Sequence, residues 1–119
     1  LPDNDAGVPA VPQVGPADAQ ARVQAGAVLL DVREPAEWTA GHAPDADHIP
    51  MGNVPAAVSR LPRDAEIVVV CRSGARSQKV AEWLAHQGFT VMNLAGGMQA
   101  WAASGLRVVA DDGAPGAVV

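Results

Sequence analysis

Apolar residues fall into two kinds of pattern along this chain. Ala27-Val28-Leu29-Leu30-Asp31-Val32, Glu66 to Val70 and Phe89-Thr90-Val91-Met92-Asn93 are short, β-branched runs with little polar alternation. Runs of that kind are strands buried on both faces, as in a parallel sheet. Between them the spacing turns helical. Val80, Trp83, Leu84 and Gln87 fall at i, i+3, i+4 and i+7 within Ser77 to Gln87, and Gly88 closes the helix. Pro16 opens another helix over Ala17 to Ala25, with Gly26 as its stop. Arg33 to Gly41 is a turn and a short helix with Trp38 on its inner face. Asn53 caps a helix running to Arg60, with Pro55 in its first turn. Gly96-Gly97 introduces a last helix, Met98 to Ala103, with Trp101 packed inward.

The remaining elements are weaker. Val11 to Val14 is a very short edge strand, because Pro12 cannot donate to a ladder. His48-Ile49-Pro50-Met51 is at most a short strand, closed by Pro and Gly. Strands that alternate with helices predict an α/β domain: a mostly parallel central sheet of about five strands with helices on both faces. The domain spans residues 11–109. Residues 1–10 form a flexible N-terminal tail, and 110–119, rich in Gly, Ala, Pro and Asp, form a C-terminal one. Parallel strands end on one rim, so Asp31 and Cys71 are expected to share it.

A chain of 119 residues is long enough for one core. A net charge of −5 argues against general nucleic-acid binding, and no apolar run approaches the ~20 residues of a membrane span. Arg72, Arg76 and Lys79 nonetheless gather three of the eight basic residues into eight positions. A positive cluster in an acidic chain points to a small anionic substrate. The single cysteine excludes an internal disulfide, and lacking a resolving thiol it argues against dithiol redox chemistry. The three His show no metal-ligand spacing, so neither a metal nor another cofactor is expected. The expected location is cytoplasmic. A removed signal peptide is the alternative, since the chain begins Leu1-Pro2.

The cysteine stands at the end of the central strand, and Arg72-Ser73-Gly74-Ala75-Arg76 leads from it into a helix. Backbone N–H groups, the helix N-terminus and the two guanidinium groups would each favour a thiolate over a thiol. No His neighbours Cys71 in sequence to act as a base. The chemistry expected is attack on a soft, already polarised atom: sulfane sulfur or, less selectively, a phosphoryl group.

Five ordered stretches resemble the signatures of a single-domain rhodanese. They are Leu30 to Trp38, Gly41-His42, Ile49-Pro50, Cys71-Arg72-Ser73-Gly74-Ala75-Arg76-Ser77, and Gly96-Gly97-Met98 with Trp101. The resemblance implies a rhodanese-like fold and a Cys71 that carries sulfur as a persulfide. Sulfur would come from thiosulfate or a similar small anion and pass to cyanide or a thiol, or along a sulfur-relay protein. It implies that the backbone of Arg72 to Arg76 (Ser73, Gly74 and Ala75 between them) cradles the outer sulfur. Arg72 and Arg76 would attract the sulfonate, and Ser73 and Ser77 would donate hydrogen bonds. Neither nucleic acid nor membrane figures among the partners.

Two rivals share the fold. One is a non-catalytic docking module, disfavoured because such modules usually lose the cysteine. The other is a cysteine-dependent phosphatase or arsenate reductase. Related phosphatases have five residues between Cys and Arg, and this chain has four. The chain departs from the family in Gly41-His42-Ala43-Pro44-Asp45-Ala46, where Gly-His-Ile-Pro-Gly-Ala is common, and in Ala75, where a polar residue is often found. Asp31, Arg33 and Glu37 are expected to support the site, with Arg33 pairing with Glu37 or Asp31 and fixing the bordering turn. His42 is expected as a hydrogen-bonded loop residue, His48 and His86 as surface or structural residues, and the three Trp as core.

Overall fold

The computed structural model describes residues 10–119, so most of the expected N-terminal tail lies outside the described residues. The strands are β1 (Gln13–Val14), β2 (Val28–Asp31), β3 (Ala46–His48), β4 (Glu66–Val70) and β5 (Thr90–Leu94). They form one sheet in the order β1-β5-β4-β2-β3, and every pairing is parallel. The helices are α1 (Pro16–Gln24), α2 (Pro35–Ala40), α3 (Val54–Ala57), α4 (Ala75–His86) and α5 (Gly97–Ala103).

The unbroken apolar runs follow from this layering, because successive strand residues point to opposite faces and both faces are covered. Leu30, Ile67, Val69 and Val91 meet Val54 of α3 and Val80, Trp83 and Leu84 of α4. Leu29, Val68, Val70, Met92 and Leu94 face the other way and meet Ala19 of α1 with Met98 and Trp101 of α5. The four valine and isoleucine positions of the central strand, Ile67 to Val70, are all fully buried. Asp31 stands in register with Val70, which puts the ends of β2 and β4, and so Asp31 and Cys71, on one rim.

Several elements differ from the sequence expectation. The third strand lies earlier, at Ala46–His48, because its register is set by pairing with β2: Asp31 lies opposite His48. Met51 then turns away as a 3₁₀ element while its N–H donates to the Val32 carbonyl at 2.9 Å. Asn53 makes no side-chain cap, and α3 is a single turn flanked by 3₁₀ turns. Trp38 is half-buried rather than core, its ring stacked on His42 at 3.6 Å and on His48 at 4.7 Å between centroids.

The segment expected as a free C-terminal tail is laid back on the body. Val109 bridges His42 through both backbone groups, at 2.9 and 2.8 Å. The Gly116 N–H donates to the Val108 carbonyl and the Ala117 N–H to the Ala40 carbonyl, both at 2.9 Å, and Val118 packs on the α1/α5 side of the core. These contacts are almost all backbone hydrogen bonds, which leave no hydrophobic period in the sequence. Among the described residues, no helix is long and apolar enough to cross a membrane.

Candidate active site

The loop after β4 owes its shape to two glycines. Gly74 adopts φ +105° at the N-cap of α4, a left-handed conformation that a side chain would strain. That turn brings the Gly74 N–H back to the Cys71 Sγ at 3.1 Å. Gly97 lies against the outer side of the same loop, where a Cβ would collide with the backbone of Cys71 and Arg72. This close approach lets the Met98 and Gln99 N–H groups donate to the Cys71 and Arg72 carbonyls at 2.8 and 3.0 Å. The loop carbonyls are therefore occupied from behind, leaving N–H groups to face the sulfur.

Cys71 is 1 % exposed. Burial by itself pushes its thiol pKa up. Hydrogen bonds from the Ser77 side chain and from the backbone N–H groups of Ser77, Gly74 and Ser73 more than offset that, and the net direction is down. The Ser77 hydroxyl lies 3.3 Å from Sγ and is fully buried. Ser73 and Ala75 are exposed at the surface of the loop.

The guanidinium groups are not idle. Arg76 donates through Nη1 and Nη2 to the two carboxylate oxygens of Glu37, at 2.8 and 2.9 Å. Glu37 also accepts the Glu34 N–H at 3.0 Å within the first turn of α2. The Arg76 hydrogen bonds, opposed by partial burial and helped by the Glu34 N–H, hold the Glu37 carboxyl at a pKa of about 2. The Arg76 pKa is raised by the same pair. Arg72 is exposed, and its Nε donates to the Val119 main-chain oxygen at 3.0 Å. With the Gln99 amide oxygen turned towards it, Arg72 also donates from Nη1 at 3.1 Å. Lys79 is exposed on α4, one turn beyond the loop.

Of the two partners considered for Arg33, the structure selects Asp31. Arg33 Nη2 lies 2.8 Å from Asp31 Oδ2, with both side chains fully buried, and also donates to the Gly41 carbonyl at 2.7 Å. The Arg33 backbone N–H donates to Asp31 Oδ1 at 3.0 Å, closing the turn after β2. Glu37 belongs instead to Arg76. His42 Nδ1 lies 2.9 Å from the Trp38 carbonyl and His48 Nε2 lies 2.7 Å from the Arg33 carbonyl. As a carbonyl only accepts, both nitrogens carry hydrogen, and both rings brace the turn. His86 is exposed at the end of α4.

Asn93, read in the sequence only as part of a strand, also belongs to the site. It is 3 % exposed on β5 and its Oδ1 lies 2.6 Å from the Ser77 hydroxyl. The available signal was an amide among the apolar residues Val91, Met92 and Leu94, since a buried polar group needs partners. Among the described residues there is no cluster of three or more His, Cys, Asp or Glu able to hold a metal ion.

A parallel α/β sheet with a nucleophile-bearing loop at the C-terminal end of its central strand defines a cysteine-loop enzyme architecture. Within that class the chain belongs to the rhodanese family: residues 15–104 match the rhodanese-like domain. It is 46% identical over 87 residues to a sulfurtransferase of Allochromatium vinosum, covering 72% of this chain and 81% of that protein. It is 37% identical over 90 residues to the thiosulfate sulfurtransferase GlpE of Pseudomonas syringae, covering 75% of this chain and 85% of that protein. A crystal structure of a rhodanese-related protein from Thermoplasma volcanium superposes with a TM-score of 0.78 at 32% identity, covering 82% of this chain and 97% of that one. These likenesses support rhodanese-type sulfur transfer as the general activity.

Proposed function

We propose that this protein takes sulfane sulfur from thiosulfate or a similar small anionic donor, holds it as a Cys71 persulfide, and passes it to cyanide or a thiol. The observation that carries this is the ring of donors around Cys71 Sγ, with the Gly74 N–H at 3.1 Å and the Ser77 hydroxyl at 3.3 Å. Such donors stabilise a sulfur that is negative twice, first as attacking thiolate and later as leaving group.

In the first half-reaction the Cys71 thiolate attacks the outer sulfur of thiosulfate. The S–S bond of the donor breaks, its electron pair departs on sulfite, and the transferred sulfur remains on Cys71 as a persulfide anion. The loop N–H groups from Arg72 to Arg76 meet that charge. In the second half the acceptor attacks the outer sulfur, and the electron pair of the Cys–S bond returns to Sγ. A protein thiol in a sulfur relay would serve as acceptor in the same way.

Anion capture falls mainly to Arg72. Arg76 is already matched by Glu37 at 2.8 Å, so its charge is largely balanced and its main work is to hold the loop against α2. Phosphoryl transfer is the weaker reading, since four residues between Cys71 and Arg76 make a tighter cradle than the five of the related phosphatases.

The test is a mass measurement. Thiosulfate should add one sulfur atom to the intact protein, and cyanide should remove it as thiocyanate. Cys71→Ser should do neither while keeping its fold by circular dichroism. Folded wild-type protein that gains no sulfur and yields no thiocyanate would overturn the proposal.

A further inference from the structure

The Asn93 amide can be oriented without ambiguity. Its Nδ2 faces two acceptors, the Gly74 carbonyl at 3.2 Å and Gln13 Oε1 at 2.9 Å. A backbone carbonyl cannot donate, so the nitrogen must point there and Oδ1 must face Ser77. Oδ1 has no hydrogen, so the 2.6 Å contact must be bridged by the Ser77 hydroxyl proton. A hydroxyl has one proton. While Asn93 holds it, Ser77 can meet Cys71 Sγ, 3.3 Å away, only with a lone pair.

A lone pair suits a thiol, whose S–H can donate to Ser77. It does not suit a thiolate, which needs the Ser77 proton. We propose that Asn93 is a positioning residue for Cys71, holding the Ser77 proton while the sulfur is neutral and releasing it when the sulfur is charged. The same proton would serve the second half-reaction, when the Cys–S bond breaks and its electron pair returns to Sγ; this part rests on the sulfur-transfer reading above. In the persulfide, Sγ is a two-bonded, weakly accepting sulfur, and the proton goes back to Asn93. No proton is gained or lost in the exchange, since one hydroxyl hydrogen turns between two acceptors.

The surroundings favour this role over simple core filling. Asn93 stands opposite Val69 in the β4 register, on the sheet face that also carries Val91 and packs on α4. An apolar residue would suit that layer. Instead the amide uses both N–H groups and its oxygen, and two of its three arms lead to the catalytic loop at Gly74 and, through Ser77, to Cys71 itself. From Gln13 the network continues outward, with Gln13 Nε2 donating to Gln78 at 2.6 Å and Gln78 to Glu82 at 3.1 Å. The charged groups on the loop and on the elements beside it are Arg72, Arg76 of α4, Glu34 and Glu37 at the start of α2, and the buried Asp31–Arg33 pair. None of them hydrogen-bonds to Ser77 or Asn93 among the described residues.

The experiment follows the rate of Cys71 alkylation by iodoacetamide against pH in wild type, Asn93→Leu, Ser77→Ala and the double variant. Asn93→Leu frees the Ser77 proton for sulfur and should lower the midpoint by about half to one pH unit. Ser77→Ala should raise it, and adding Asn93→Leu to Ser77→Ala should change nothing further. An Asn93→Leu shift that is zero, or equal in both backgrounds, would overturn the proposal, because a merely structural role does not pass through Ser77. Should the leucine variant fail to fold, the wild-type Asn93 side-chain amide can be followed by nuclear magnetic resonance. It should move with the Cys71 titration in wild type, and a flat trace there would be equally fatal. Alkylation needs no sulfur donor, so a protein that takes no sulfur from thiosulfate but shows these shifts would lose the sulfur-transfer reading and keep this one.

Discussion

Glu37 grips Arg76 with both carboxylate oxygens, at 2.8 and 2.9 Å, and so ties the first turn of α4 to α2. The pair crosses 39 positions of sequence and joins α2 to the helix start that follows the cysteine loop. Its geometry is the fork-to-fork match that gives arginine–carboxylate pairs their strength.

The first prediction concerns pH and this pair. Glu37 titrates at about 2 in the fold against 4.5 ordinarily. A depressed carboxyl stabilises the fold fully above its unfolded pKa, and that share is lost as pH falls through the folded one. Glu37→Gln should therefore be less stable than wild type at neutral pH. With Arg76 36% exposed, solvent screening limits the loss to about 1 kcal/mol. The gap should narrow from pH 4.5 downwards and close near 2, which urea midpoints across that range would show. A gap that stays constant with pH would mean the pair carries no such stability.

The second concerns anion capture. Arg72→Ala should raise KM for thiosulfate about tenfold, the size of one charge-assisted contact, and change kcat much less. Steady-state thiocyanate assays at fixed ionic strength separate the two constants. Equal KM values in variant and wild type would remove Arg72 from donor recognition.

The third uses the glycines. Gly97→Ala places a Cβ against the backbone of Cys71 and Arg72 at φ +58°, whereas Gly105→Ala meets open space at φ +79°. Both pay for the left-handed backbone, about 1 kcal/mol. Only Gly97→Ala should add a collision and displace the loop. Denaturation should show a loss about 1–2 kcal/mol larger for Gly97→Ala, and sulfur loading should slow in that variant alone.

The fourth follows from the lowered Cys71 pKa. The native chain holds a thiolate at pH values where the unfolded chain still holds a thiol, up to about 8.5. Stability due to this group therefore rises with pH across that window and is lost as pH falls through the folded pKa. Under reducing conditions, wild type should gain stability relative to Cys71→Ser as pH rises towards about 8.5 and level off above it. Alkylation should correspondingly reach half its maximal rate below the pH typical of a free cysteine. A midpoint at or above that value would contradict the donor ring around the sulfur.

The architecture and the place of the cysteine loop were legible from local patterns along the chain. Apolar runs such as Ile67 to Val70 carry no alternation because a parallel sheet is covered on both faces, and that signal is local. A single Cys at the end of the strongest run, followed by glycine and arginine, located the loop for the same reason. Elements held by side-chain periodicity, such as α4 and α5, were legible to within two residues or so.

Which groups face one another was settled by packing. The pairing of Glu37 with Arg76 and of Asn93 with Ser77 depends on distances between segments that sequence spacing does not encode, and once Arg76 holds Glu37, Arg33 is left to its near neighbour Asp31. The docked C-terminal segment was invisible for a related reason: its attachment is backbone hydrogen bonding from Val109 to Ala117, which any residue but proline can make. A strand pattern places Cys71 on the rim; the charge that its sulfur can hold depends on hydrogen bonds that exist only once β4, β5 and α4 have packed.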